Sequence, residues 1–411
     1  MRGILVVGDG MADRPLAELG FRTPLEAADA KFLDSLASEG VCGLLDPVAS
    51  GFAPGSDAAN LAILGYNPWM LCGGRGPFEA AGVGLNLKAG ELAFRCNFAT
   101  VDEDFCLIDE RAGRIGAEAQ VLGEAVEQVE LKVNCDVELA FKQSLGFKAA
   151  MVLRGDKLSP KVTYTLPEVG SRVGEVRPLD GSVEAKHTAD VLNEFTRLTY
   201  NKLRAHPVNV KRKSQRKMPA NAVLPWSGSK IPHMQPFKEK YGLEASCVCA
   251  ASLIKGIGRL SGMNVVDVPG ATGDLDTDTL AKADAALSAL KSSDFVFIHV
   301  EAPDEASHDG NVEGKISIIK KIDAMVGRIL EKVDLGEVCV GLLPDHATSC
   351  KSRAHTGDVV PVCFAGANVT RDGVSQYSER SAYKGGLNRT EGKDVMPQLL
   401  NYMGHAEKVS G

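Results

Sequence analysis

Three apolar runs stand out along the chain: Gly3-Ile4-Leu5-Val6-Val7-Gly8, Phe295 to Val300, and Val338 to Leu343. None alternates polar with apolar positions, so each reads as a strand buried on both faces, as in a parallel sheet. Each is followed closely by a carboxylate: Asp9, Asp304 and Asp345 in turn. Between the runs the apolar spacing becomes helical, over Ser56 to Leu64, Asp278 to Leu290 and Lys315 to Val333. The last of these carries one stripe of Ile316, Ile319, Ile322, Met325, Val326, Ile329 and Leu330. Strand and helix in alternation predict a doubly wound, mostly parallel α/β core. In such sheets the functional crevice lies beyond the carboxyl ends of the strands, so acids delivered there by three strands converge.

The residues that suit a site fall at the two ends of the chain, between 9 and 56 and between 304 and 355, and the long middle supplies none of them. That gap predicts a discontinuous core, 1–71 and 233–411, interrupted by a smaller α+β domain inserted at 72–232. Its entrance is the glycine-rich Cys72-Gly73-Gly74-Arg75-Gly76-Pro77. Its exit, Pro225-Trp226-Ser227-Gly228-Ser229-Lys230-Ile231-Pro232, reads as a loop. Within the insertion, Ala185 to Leu203 reads as a packing helix. Beyond it, Ala245 to Leu253 reads as a strand that ends just before Lys255.

A length of 411 residues exceeds what one hydrophobic core usually supports, which agrees with two domains. The 46 basic and 53 acidic residues give a net charge of −7, which excludes a general nucleic-acid-binding surface. The basic run Lys211, Arg212, Lys213, Arg216 and Lys217 has no aromatic platform beside it and reads as a solvated loop. No apolar run approaches the roughly 20 residues that span a bilayer, and Met1 leads directly into the first strand without a targeting pattern. Ten cysteines lack zinc-ribbon or disulfide-framework spacing, so reduced thiols and a cytoplasmic protein are expected. Gly82-Val83-Gly84 and Lys255-Gly256-Ile257-Gly258 lack the acid of a dinucleotide fingerprint, which removes NAD. Self-association is left open.

The chemistry lies in a few positions. Ser56 follows Pro54-Gly55 and opens a helical pattern, a place for an N-cap or for a nucleophile facing a phosphate at a helix N-terminus. Asp304 and His308 are four apart and share one helical face if a turn begins at Pro303. Asp345-His346 follows a buried strand, and His355 lies ten residues past Asp345, close enough for a loop to return it. Each alone is an ordinary capping or surface residue. Together they point to two divalent cations, since hard oxygen and imidazole ligands suit Mn²⁺, Mg²⁺ or Zn²⁺, with Ser56 activated by a metal. Phosphoryl transfer is the reaction class. Lys255 is placed either as a point charge for phosphate or as a surface residue. Arg111, Arg114 and Arg154, with Asp109 beside the first two, are placed either as substrate binders or as surface ion pairs.

Four segments carry a resemblance: Gly8 to Pro15, Gly55 to Pro68, Gly74 to Ala80 and His299 to His308. Val268-Pro269-Gly270-Ala271-Thr272-Gly273 and Pro344-Asp345-His346-Ala347-Thr348 fit with them. The chain resembles, almost end to end, the archaeal-type cofactor-independent phosphoglycerate mutases of the alkaline phosphatase superfamily. The resemblance implies interconversion of 3-phosphoglycerate and 2-phosphoglycerate through a phosphoserine on Ser56. It also implies two divalent metals, Mn²⁺ or Mg²⁺ with Zn²⁺ or Co²⁺ as further choices, and no 2,3-bisphosphoglycerate. It assigns Asp9, Asp345 and His346 to one metal and Asp304, His308 and His355 to the other. Lys255 would steady the phosphoryl group, and Arg111, Arg114 and Arg154 would bind glycerate carboxylate or phosphate, with Asp109 taken as a further substrate residue beside them. The chain departs from the family at Glu110, where a basic residue is usual, and over Gly357-Asp358-Val359-Val360-Pro361. A hydrolase of the same superfamily and a silent sensor are the alternatives.

Overall fold

The computed structural model describes residues 1–88 and 90–406. They divide into two compact units, one of Met1–Leu71, Met234–Ile254 and Gly258–Gly411, the other of Cys72–His233 with Lys255–Ile257.

The first unit is built on an eight-stranded sheet. Its order is Arg389–Glu391, Gly40–Asp46, Val360–Ala365, Val338–Leu343, Arg2–Gly8, Phe295–Val300, Ala245–Val248 and Asn264–Val266. Val360–Ala365 runs antiparallel to both neighbours, and every other pairing is parallel. The three apolar runs therefore lie side by side, with Arg2–Gly8 between the other two. Both faces are covered. On one, Ile4, Val6, Val296, Ile298, Val340 and Leu342 pack with the helices Lys31–Ser38, Thr279–Ala289 and Val312–Leu330. On the other, the helix Val395–Met403 lies so close to the first strand that a Cβ on Gly3 would stand 2.6 Å from Met403 Sδ.

The second unit is α+β. Leu92–Val101 pairs antiparallel with Lys148–Arg154 and Leu107–Asp109 along one edge and with Ala222–Lys230 along the other, and Glu138–Gln143 extends the sheet. Phe195 and Leu192 of the helix Val183–Leu203 and Leu122 and Val126 of the helix Glu118–Glu127 fill the core against Phe94, Phe98 and Met151. The glycines at 74 and 76 are required here. A Cβ on Gly76 would stand 2.0 Å from Ala93 O, and one on Gly74 would stand 2.6 Å from Ser227 O.

Three expectations are corrected. The segment around Pro225-Trp226 is not a loop but part of the strand Ala222–Lys230; among the described residues it pairs with Leu92–Val101 alone, and an edge strand tolerates proline. The apolar run from Ala245 is not one strand. The strand stops at Val248, and a helix, Ser252–Leu260, takes up the remainder, because an apolar run alone does not separate strand from buried turn and helix. Lys255 thus sits inside that helix rather than after a strand. The basic run is a loop only in part: Lys211, Arg212 and Lys213 lie in a helix, and Arg216 and Lys217 follow it. Pro207–Ser214 is a helix, and Arg212 is buried, donating to Met218 O at 2.8 Å and Ala112 O at 3.1 Å.

Candidate metal centre

Beyond the carboxyl ends of the central strands of the first unit, the polar residues stop being exposed. Asp9, Ser56, Asp304, Asp345 and His346 are all buried. Asp9 follows the first strand, and Gly10 turns the chain with φ +59°, a left-handed conformation in which glycine is unstrained. Its N–H donates to Asp345 Oδ1 at 3.1 Å. A Cβ on Gly10 would meet Thr348 Oγ1 at 2.6 Å and Asp304 Oδ1 at 2.7 Å, so backbone rather than side chain forms this wall.

Ser56 is the first residue of the helix Ser56–Ile63, whose N-cap is Gly55 without a side-chain bond, so the serine hydroxyl does not cap. Its Oγ lies 3.2 Å from His346 Nε2. One turn on, the Asn60 amide donates to Ser56 O at 2.8 Å and to Asp345 Oδ2 at 2.7 Å. Pro303 lies in the first turn of the helix Ala302–His308, which puts Asp304 and His308 on one face, with His308 Nε2 3.3 Å from Asp304 Oδ2. The short strands Ala347–Ser349 and Ala354–Thr356 pair antiparallel, with Thr348 opposite His355. That pairing folds His355 back until its ring stacks on His346 with centroids 3.8 Å apart.

Ligand atoms of Asp9, Asp345 and His346 gather within 4.8 Å of one another, and so do those of Asp304, His346 and His355. His308 stands at the edge of the second group, its Nε2 3.2 Å from His355 Nε2. All three histidines hold their other nitrogen against an oxygen: His308 Nδ1 at Arg353 O (2.8 Å), His355 Nδ1 at Pro54 O (2.7 Å) and His346 Nδ1 at Thr348 Oγ1 (3.0 Å). Carbonyl oxygens only accept, so His308 and His355 carry their hydrogens on Nδ1 and turn Nε2 lone pairs inward. Two lone pairs 3.2 Å apart repel unless a cation or proton stands by them. Asp9 Oδ1 is also buried, 3.2 Å from His346 Nε2 and, among the described residues, without a well-formed hydrogen bond. Imidazole nitrogens and carboxylates arranged in this way fit a pair of divalent cations.

The electrostatics agree. Burial and Asp304 push the Asp9 carboxyl up, but His299 and His346 outweigh them and hold it well below the usual range. Asp304 is likewise lowered, burial being outweighed by His308 and His355. Asp345 is raised by burial and by Asp9. Burial disfavours charge on His346, yet Asp345, Asp9 and Asp304 carry it up to about 9. Three buried carboxylates thus call for positive charge, which a proton or a cation can supply.

Sequence reasoning missed four residues. His299 is fully buried, with Nε2 3.4 Å from Asp9 Oδ2 and 4.0 Å from Asp345 Oδ2. Burial lowers its proton affinity, but Asp345 and Asp9 raise it to about 10. Its signal was a histidine inside an otherwise apolar strand. Asn60 was legible as an amide one turn from Ser56. Thr348 and the buried Lys315 gave no signal of their own.

The substrate candidates lie in the second unit. Asp109 Oδ1 accepts the backbone N–H groups of Arg111 (2.7 Å) and Gly113 (3.0 Å), shaping the turn that carries Arg111 and Arg114. Glu110 Oε1 stands 3.3 Å from Arg111 Nε. Arg154 is engaged by Glu138 at 2.6 Å, Glu91 at 3.1 Å and Asn86 O at 2.8 Å. Lys255 groups with this unit.

Fold and donor set define a metalloenzyme, and residues 1–402 match the metalloenzyme superfamily. More narrowly, the chain belongs to the family of archaeal-type 2,3-bisphosphoglycerate-independent phosphoglycerate mutases. It is 44% identical over 410 residues to the protein of that name, number 1, from Methanothermobacter thermautotrophicus, covering 99% of each. It is 46% identical over 409 residues to its counterpart in Methanococcus aeolicus, again covering 99% of each. A solved protein of Pyrococcus horikoshii superposes with a TM-score of 0.84 at 34% identity, over 100% of this chain and 99% of that one. The cofactor-independent phosphoglycerate mutase of Thermoplasma acidophilum gives 0.65 at 30% identity, over 98% and 100%.

Proposed function

We propose that this chain interconverts 3-phosphoglycerate and 2-phosphoglycerate without 2,3-bisphosphoglycerate, using Ser56 as nucleophile. The observation that carries the reading is the Ser56 hydroxyl, uncommitted to capping, 3.2 Å from His346 Nε2 at a helix N-terminus. In the first transfer a bond forms between Ser56 Oγ and phosphorus as the bond from phosphorus to the substrate oxygen breaks, leaving a free hydroxyl on the glycerate. In the second, the neighbouring glycerate hydroxyl takes the phosphoryl group and Ser56 is restored. The N–H groups and the dipole at the start of Ser56–Ile63 favour the phosphoryl oxygens. Asn60 fixes the first helical turn to Asp345, so Ser56 keeps its aim. Two divalent cations, Mn²⁺ or Mg²⁺, held by Asp9, Ser56, Asp345 and His346 and by Asp304, His308 and His355, would lower the proton affinity of Ser56 and neutralise phosphoryl charge. Arg111, Arg114, Arg154 and Asp109 supply substrate contacts and Lys255 a point charge for phosphate in this reading, and the enzyme works in the cytoplasm. Among the described residues, no helix is long and apolar enough to cross a membrane.

An enolase-coupled assay of 3-phosphoglycerate with Mn²⁺ and no added bisphosphoglycerate tests this. Turnover is expected, with loss of at least about 10³-fold in kcat on Ser56→Ala and abolition by EDTA. A loss of about tenfold or less on Ser56→Ala would sink the nucleophile assignment. Inorganic phosphate released without 2-phosphoglycerate would select a hydrolase.

A further inference from the structure

We propose that Thr348 is a positioning residue whose single hydroxyl couples the two metal positions, by orienting Asp304 and His346 at once. Its Oγ1 lies 2.6 Å from Asp304 Oδ1 and 3.0 Å from His346 Nδ1. A hydroxyl has one hydrogen, and an ionised carboxylate can only accept, so that hydrogen goes to Asp304. Toward His346 the same oxygen must therefore accept, which keeps a hydrogen on Nδ1 and leaves Nε2, on the side of Ser56 and Asp9, as the nitrogen that can give up its proton to a cation. His308 and His355 obtain the same tautomer from main-chain carbonyls, which belong to no metal group. Thr348 alone among these partners touches a member of each cluster, because Asp304 belongs to one and His346 to both.

The hydroxyl is itself held still. Thr348 is fully buried, its N–H donates to Ala12 O at 3.1 Å, and its carbonyl accepts from Lys315 Nζ at 2.8 Å. Lys315 is buried too, and it directs its remaining hydrogens to Ala12 O at 3.1 Å and Asp13 Oδ2 at 3.2 Å. Partners of metal ligands that are fixed in this way typically tune affinity by about 10–100-fold.

The inference rests on the two-metal reading, and Mn²⁺ binding to the metal-free protein, followed by calorimetry and by electron paramagnetic resonance of free Mn²⁺, tests the two separately. Wild type is expected to bind two Mn²⁺. Thr348→Val keeps the shape without the hydroxyl and is expected to lower both stepwise affinities about 10–100-fold. Thr348→Ser keeps the hydroxyl and is expected to stay within about threefold of wild type. Loss at one step only, or unchanged affinities in Thr348→Val, would overturn the coupling role while leaving the two-metal reading intact. Wild type that binds no pair of Mn²⁺ would overturn both. Circular dichroism checks each fold; if the valine variant does not fold, Thr348→Ala against Thr348→Ser carries the same comparison.

Discussion

Asn60 reaches from the helix of Ser56 to Asp345, donating to its Oδ2 at 2.7 Å, while Gly10 N–H holds Oδ1 of the same carboxylate at 3.1 Å. Asp345 therefore has both oxygens committed in direction, one to the helix that carries the serine and one to the turn that carries Asp9. A carboxylate oriented from two sides presents its remaining lone pairs to a cation with little freedom left to lose.

Asn60→Leu removes one of those two holds and leaves the shape of the helix alone. Mn²⁺ affinity is expected to fall about 10–100-fold, measured by titration of the metal-free protein, with unchanged circular dichroism. An unaltered isotherm would show that Gly10 suffices.

Gly10→Ala places a methyl group where Thr348 Oγ1 and Asp304 Oδ1 stand, 2.6 and 2.7 Å away, on a residue with φ +59°. Conformation alone costs on the order of 1 kcal/mol, and the clash adds to it. Urea unfolding of the metal-free variant is expected to show a lowered midpoint at unchanged slope.

Metal removal should destabilise the first unit, because Asp9, Asp304 and Asp345 are then buried together with only protonated histidines to offset them. A cation present at about 100 times its Kd stabilises by about 2.7 kcal/mol. Calorimetric scans are expected to show a Tm that drops with EDTA and climbs with Mn²⁺ concentration. A Tm insensitive to both would mean that no cation binds the folded state preferentially.

Glu379 offers a pH test away from the metal ligands. Burial pushes its carboxyl up to about 7, against hydrogen bonds from Thr23 and from the Asp13 N–H. The folded value lies above the unfolded one, so the folded state holds the proton more tightly. The associated stability is present at low pH and is lost as pH rises through about 7. Between about pH 5 and pH 8 wild type should lose on the order of 2 kcal/mol relative to Glu379→Gln, read from urea midpoints of the two proteins side by side.

The core of the fold was legible because its strands are buried on both faces and so carry unbroken apolar sequence, as at Ile4 to Val7 and Phe295 to Ile298. The same rule misled at Ala245 to Leu253, where a buried turn and helix are as apolar as a strand. It misled in the opposite sense at Ala222–Lys230, where proline, glycine and serine sit in an edge strand. Around the site, residues bearing charge at strand ends could be picked out one by one. Their supports could not: Thr348 looks like any threonine, and Lys315 sits on a helical face where lysine ordinarily meets solvent. Only the three-dimensional arrangement shows its three bonds to Ala12, Asp13 and Thr348.

The central place of Arg2–Gly8 sets an order of events during synthesis. That strand leaves the ribosome well before both its neighbours, Phe295–Val300 and Val338–Leu343, which lie far downstream in the sequence. Until those are translated, the strand has two unpaired edges and Ser56 has no His346 beside it. The nascent chain must shelter an apolar segment until both neighbours have emerged, which makes that segment a natural client for chaperones. It also means that a truncated product, released early, carries the serine without the means to use it.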